Sequence, residues 1–137
     1  MPDEGAEMPG GTAAQGRGGT GHAIRLKRVY EPPSPDDGTR VLVERLWPRG
    51  LSKERAAVDL WSKDVSPSPE LRRWYGHDPA KWPDFRRRYR EELRGRQDEL
   101  DELRRLAREG PVTFVYAARD PERNSALLLR DVVEEPA

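Results

Sequence analysis

Arg45 and Arg49 stand four residues apart at the end of a short apolar run, with Trp47 between them. A guanidinium forks onto phosphate or carboxylate oxygens through two parallel hydrogen bonds, and an indole offers a flat face to a base or sugar ring. The spacing therefore reads as an anion clamp with a stacking residue. The competing reading is structural, with Arg45 paired to Glu44 or Asp120, Arg49 exposed and Trp47 in the core. Three side chains are candidates for proton transfer: Glu44, Asp64 and His77. His77 lies between Gly76 and Asp78. A histidine beside a carboxylate can serve as general acid or base near neutral pH, although a capping or packing histidine is the commoner case. A later segment, residues 116–124, adds Tyr116, Arg119 and Asn124 as polar groups that could orient a ligand.

The residue inventory removes several chemistries. There is no cysteine, so disulfides, thiolate nucleophiles and cysteine-ligated metals are excluded. The only histidines are His22 and His77. A metal would need mostly oxygen ligands, and no spaced carboxylate cluster of the calcium-loop kind is present. No metal and no cofactor is expected.

One stretch suggests nucleic acid. Arg86-Arg87-Arg88-Tyr89-Arg90, with Arg72 and Arg73 upstream, interleaves basic and aromatic residues. Glu91, Glu92, Asp98 and Glu99 follow, some at helical spacing to arginines, which is the pattern of a solvated, salt-bridged helix. The 25 basic and 25 acidic residues balance to a formal net charge of zero. That balance does not favour a dedicated nucleic-acid binder.

Elements that could position these groups follow from periodicity and punctuation. Residues 24–30 alternate apolar and polar and predict an edge strand. Residues 31–38 are rich in proline, aspartate and glycine and predict a loop. The β-branched run at 40–46 predicts a central strand covered on both faces, and Pro48 and Gly50 turn the chain after it. Ser52 can cap a short helix over 53–57, and residues 58–61 read as extended. Ser68-Pro69-Glu70 starts a helix that Gly76 ends. Asp78-Pro79 repeats the start signal. A long helix or helix pair then runs to about residue 109, with Gly95 as the break and Gly110-Pro111 as the stop. Residues 112–117 are the clearest strand. Asp120 reads as the cap of a last helix over 122–134, with Ala126, Leu127, Leu128, Leu129 and Val133 on its apolar face.

Strand, crossover helices, strand, helix is the grammar of a parallel α/β sheet. Ligands in such sheets sit outside the carboxyl ends of the strands. That rule singles out residues 44–50 and 116–124.

Residues 1–22 hold seven of the twelve glycines and almost no large apolar side chain, so they read as a disordered tail. Gly16, Gly18 and Gly21 fit the dinucleotide spacing G-x-G-x-x-G by accident, since no strand precedes them and no helix follows. The overall expectation is a small single α/β domain over residues 23–137, with a mostly parallel sheet flanked by helices. No run is long and apolar enough to span a bilayer and no export signal is evident, so the cytoplasm is the expected compartment.

The stretch Ile24–Tyr30, the string Val41-Leu-Val-Glu-Arg-Leu-Trp-Pro-Arg-Gly50-Leu-Ser-Lys and the segment Leu60-Trp-Ser-Lys-Asp-Val-Ser-Pro-Ser-Pro-Glu-Leu-Arg72 resemble the YeaO-like family (domain of unknown function 488). So do Trp74-Tyr-Gly-His-Asp-Pro79 and Gly110–Asp120. The resemblance spans roughly residues 24–133. It implies a small α/β domain and no established activity. A related branch carries a cysteine at the end of the late strand and a Cys-His-Arg string after it. The corresponding places here look like Tyr116 or Ala117 and Arg123-Asn124-Ser125, so thiol chemistry does not carry over. Glu44 stands where the family usually has aspartate.

The functional expectation is a domain that binds, and could hydrolyse or transfer groups on, a small anionic nucleotide- or phosphate-like ligand. Arg45, Trp47, Arg49, Tyr116, Arg119 and Asn124 would line the cleft, and Glu44, His77 or Asp64 would exchange protons. The alternatives are a nucleic-acid-associated or regulatory protein using the arginine-rich helix, and an interaction domain without catalysis.

Overall fold

Every residue of Val112-Thr113-Phe114-Val115-Tyr116 is β-branched or aromatic, the composition that suits a pleated surface buried on both faces. In the computed structural model, which describes residues 23–136, this segment is a strand buried along its whole length. The glycine-rich segment 1–22 and its dinucleotide-like spacing lie outside the described residues. Among the described residues four strands form one sheet: β1 (Ile24–Arg28), β2 (Thr39–Leu42), β3 (Leu60–Trp61) and β4 (Val112–Tyr116). Their order is β1-β4-β2-β3, and every pairing is parallel. The last of the described strands is thus inserted between the first two of them. The parallel α/β expectation holds, with β1 at an edge and β2 internal.

The helices are α1 (Lys53–Ala56), α2 (Pro69–Tyr75), α3 (Trp82–Arg94), α4 (Gln97–Glu109) and α5 (Ser125–Glu134). Three of these starts are capped by side chains. Ser52, Ser68 and Asn124 accept the orphan amides of Arg55, Leu71 and Leu127 as N-caps. The long helical stretch is a pair, broken at Gly95-Arg96. The last helix starts three residues later than expected. Asp120 closes a turn of its own on the Glu122 and Arg123 amides, so the capping role falls to Asn124, whose backbone is extended. The two early strands are also shorter than their apolar runs.

Side chains alternate across the sheet. Val41, Val43, Val112, Phe114 and Tyr116 join α2–α5 in the main core, around Phe85, Tyr89, Leu100, Leu103 and Leu129. Leu42 and Val115 point the other way, into a smaller cluster with Val29, Leu51 and Ala56.

That second face also buries a charge network. Asp37 and Arg40 are each 3% exposed. The Asp37 carboxylate accepts from Arg40 at 2.7 Å, from Lys27 at 3.1 Å and from the Ser34 amide at 3.0 Å. Arg40 also donates to the Ala56 and Ala57 carbonyls at the end of α1. One arginine therefore ties β2, α1 and the Pro35–Asp37 turn together. Gly38 follows at φ 63°, where a Cβ would stand 2.2 Å from the Pro111 carbonyl oxygen. The close approach lets Thr39 donate to that same carbonyl and fixes the register of β2 on β4.

The β1 edge is closed by carboxylates. The Ile24 amide donates to Glu134 and the Arg28 amide to Glu31, so these backbone donors are not offered to another strand.

Candidate functional site

At the carboxyl ends of three parallel strands, the chain segments after β1, β2 and β4 meet. Glu44, two residues past β2, is 8% exposed. Its carboxylate accepts from the Ala117 amide at 2.9 Å, just past β4, and takes a longer 3.4 Å contact from Arg72 on α2. Arg28, the last residue of β1, donates to the carbonyls of Ala118 at 2.9 Å and Ala117 at 3.1 Å. The first two residues after β4 are therefore held on both sides, their carbonyls by a guanidinium and one amide by a carboxylate. Arg28 also lies 5.1 Å from the centre of the Tyr30 ring, and the Tyr30 hydroxyl donates to the Arg49 carbonyl. These contacts join the 44–50 segment to the 116–124 segment.

The rim extends to α2. Tyr116 and Tyr75 both have hydroxyl pKa values above the ordinary tyrosine value. Burial is the main cause for each, helped by Glu31 and Asp120 at Tyr116 and by Asp120 and Asp78 at Tyr75. Both phenols therefore stay protonated at neutral pH, as hydrogen-bond donors. Burial likewise raises Tyr89, whose hydroxyl donates to the Val65 carbonyl beneath the rim.

The side chains singled out from the sequence fare unequally. Arg49 and Arg119 are exposed, and neither guanidinium has a carboxylate partner among the described residues. Arg45 is half-buried; one terminal nitrogen donates to the Ser66 carbonyl at 3.3 Å, while its Nε is buried without a partner. Trp47 packs against the smaller core cluster, edge-on to Trp61 at 5.4 Å, and its indole donates to the Leu51 carbonyl. Asn124 is buried and spent locally, accepting from Leu127 as the cap of α5 and donating to the Asp120 carbonyl. Glu44 is committed to Ala117 and Arg72. His77 is exposed, has φ 59° and lies 6.3 Å from Tyr75, ring centre to ring centre. Asp64 is exposed in the Lys63–Val65 turn beside α4. No hydrogen bond or ion pair links Glu44, Asp64 and His77 to one another among the described residues. Nor do any three acidic or histidine side chains converge there as a metal site.

Sequence reasoning did not place Arg28 or Arg72 at this rim. Arg28 was discoverable, because the strand-end rule that selected the exits of β2 and β4 applies equally to β1. Arg72 carried no such signal, since only tertiary packing brings α2 against Glu44. The arginine-rich helices are salt-bridged: Arg87 pairs with Asp84, Arg94 with Glu91, Arg104 with Asp101, and Arg105 with both Glu102 and Glu109. Arg88 instead covers the Trp74 ring at 4.2 Å.

The family model described as the inactive DUF488-N3 subclade matches residues 23–137. The chain belongs to this family. Among curated relatives of this DUF488-N3 member, the uncharacterized protein Rv3073c of Mycobacterium tuberculosis is 46% identical over 110 residues, covering 80% of this chain and 92% of the relative. The uncharacterized protein YeaO of Escherichia coli is 41% identical over 108 residues, covering 79% and 94%. The YeaO-like resemblance of the motif strings is thereby established over most of the domain. No solved structure matches the chain. Among the described residues, no helix is long and apolar enough to cross a membrane.

Proposed function

We propose that this domain binds a small anionic ligand, nucleotide- or phosphate-like, at the carboxyl-end rim of its sheet, and that it does so without catalysing a reaction. One observation carries the reading. Arg49 and Arg119, on two segments joined through Glu44 and Ala117, keep guanidinium groups without a carboxylate partner among the described residues, while Arg87, Arg94, Arg104 and Arg105 on the helices are paired. Unpaired guanidinium groups are suited to bidentate anion recognition, and the ends of parallel strands are where such ligands settle. Tyr75 and Tyr116, both protonated and both within the influence of Asp120, supply neutral donors at the same rim. The absence of catalysis is supported by the family's description as inactive and by the lack of any hydrogen bond or ion pair among the three proton carriers within the described residues.

The test is a thermal-shift panel of inorganic phosphate and mononucleotides on the full chain, followed by calorimetry. A ligand at 100 times its Kd adds about 2.7 kcal/mol of stability, a rise in Tm of roughly 10 °C for a domain of this size. Arg49→Ala and Arg119→Ala should each weaken binding, while reversing charge at Arg86 and Arg88 should leave it unchanged. A flat panel, or binding lost only on reversing the α3 arginines, would overturn the reading. Conversion of the bound nucleotide to product would refute the non-catalytic part alone.

A further inference from the structure

The second open edge of the sheet differs from the first. On β1 the Ile24 and Arg28 amides are taken by Glu134 and Glu31, whereas β3 pairs only with β2 among the described residues and borders a groove against α4. The floor of this groove is apolar, made by Leu60, Trp61 and Leu103, and its wall carries Asp64, Asp98 and Glu99. Glu102 also reaches the groove but is held by Arg105 through two contacts of 3.0 and 2.6 Å. Asp64, Asp98 and Glu99 have no ion-pair partner among the described residues, although arginines pair with Asp84, Glu91, Asp101, Glu102 and Glu109 elsewhere on α3 and α4. Among the described residues the only cation lining the groove is Lys63, whose ammonium lies 4.1 Å from the centre of the Trp61 ring.

We propose that the β3–α4 groove docks a basic, extended peptide segment of a partner protein. Its apolar side chains would rest on Leu60, Trp61 and Leu103, and its lysine or arginine heads would reach Asp64, Asp98 and Glu99. Three features select this occupant. A strand edge with one partner accepts an extended backbone, and alternate side chains of an added strand fall on one face. The apolar floor suits a side chain with a hydrocarbon body and gives little to a fully hydrated small cation. The unpaired carboxylates supply complementary charge. The chain's own first 22 residues do not fit, since they carry Asp3, Glu4 and Glu7 against a single arginine, Arg17. The groove uses none of the arginines proposed for the anion site, so the two readings stand or fall separately.

The experiment is an amide NMR titration of the full-length chain with an acetylated, amidated peptide of alternating arginine and leucine. Saturable shifts should map to residues 60–64 and 98–103. Asp98→Asn combined with Glu99→Gln should weaken binding roughly tenfold, because each partly exposed ion pair contributes little alone. Asp64→Asn, at an exposed position, gives a smaller loss and guards against a folding defect in the double variant. Arg49→Ala should change nothing. The proposal is overturned by equal binding of a glutamate–leucine peptide, by shifts outside the groove or by no saturable shift. Displacement of the peptide by spermidine at similar concentration would also overturn it and assign the groove to a small cation.

Discussion

Asp37→Asn should be among the most damaging single substitutions in this domain that leave the apolar core intact. The change keeps the volume and removes one charge, leaving Arg40 at 3% exposure with no compensating carboxylate. Removing one partner of a buried pair costs about 3–5 kcal/mol, because the other charge remains out of water. A domain of this size has about 5–15 kcal/mol in total. Urea unfolding followed by tryptophan fluorescence should show the midpoint fall by about 2 M, taking an ordinary slope for a small protein. The pH dependence follows from linkage. Burial raises the Asp37 carboxyl, but the Ser34 amide and the Lys27 and Arg40 cations outweigh it and hold the pKa below the ordinary 3.8. A depressed native pKa means stability that is present above the unfolded value and lost as pH falls through the native one. The difference between wild type and Asp37→Asn should therefore be full at pH 6 and shrink below pH 3.8, as first the unfolded-state carboxyl and, at lower pH, the native one takes up its proton. The double variant Asp37→Asn/Arg40→Met should lose less than the sum of its singles. A single-variant loss under about 1 kcal/mol, or strict additivity in the cycle, would refute the buried-pair account.

Three further outcomes follow. Gly38→Ala should destabilise by about 3 kcal/mol or more in chemical denaturation, since the Cβ would clash with the Pro111 carbonyl at a backbone angle suited to glycine. Ala57→Gly should stabilise by about 0.5–1 kcal/mol in the same assay, because Ala57 ends α1 at φ 51° in the left-handed region that glycine adopts freely. Glu44→Gln should cost about 1 kcal/mol or less, because the amide oxygen still accepts from Ala117 and Arg72 is half-exposed; Glu44→Ala should cost about 2 kcal/mol and shift the Ala117 amide resonance.

The order of elements was readable along the chain, because it depends on local rules. Serine and proline start helices, glycine ends them, and β-branched runs make strands. Those rules also placed Arg49 and Arg119 at strand exits and marked the arginines of α3 as a solvated face. Boundaries were less legible. The last helix waits for Asn124 because Asp120 found two nearer amides, a competition that spacing alone does not resolve. Trp47 illustrates the larger gap. Its position suggested an exposed stacking ring, yet the fold turns it into the smaller core, since a sheet face without long helices must be covered by whatever side chains the loops supply.

By itself the sequence determined a cysteine-free α/β domain with a parallel sheet and basic side chains at its strand ends, because composition and periodicity are properties of neighbours along the chain. Tertiary structure alone decided that β4 slides between β1 and β2. That insertion brings Glu44 to Ala117 and Arg28 to the same residues, and α2 then carries Arg72 to Glu44. Pairings between residues 28 to 90 positions apart depend on which surfaces bury together, and no local pattern encodes them.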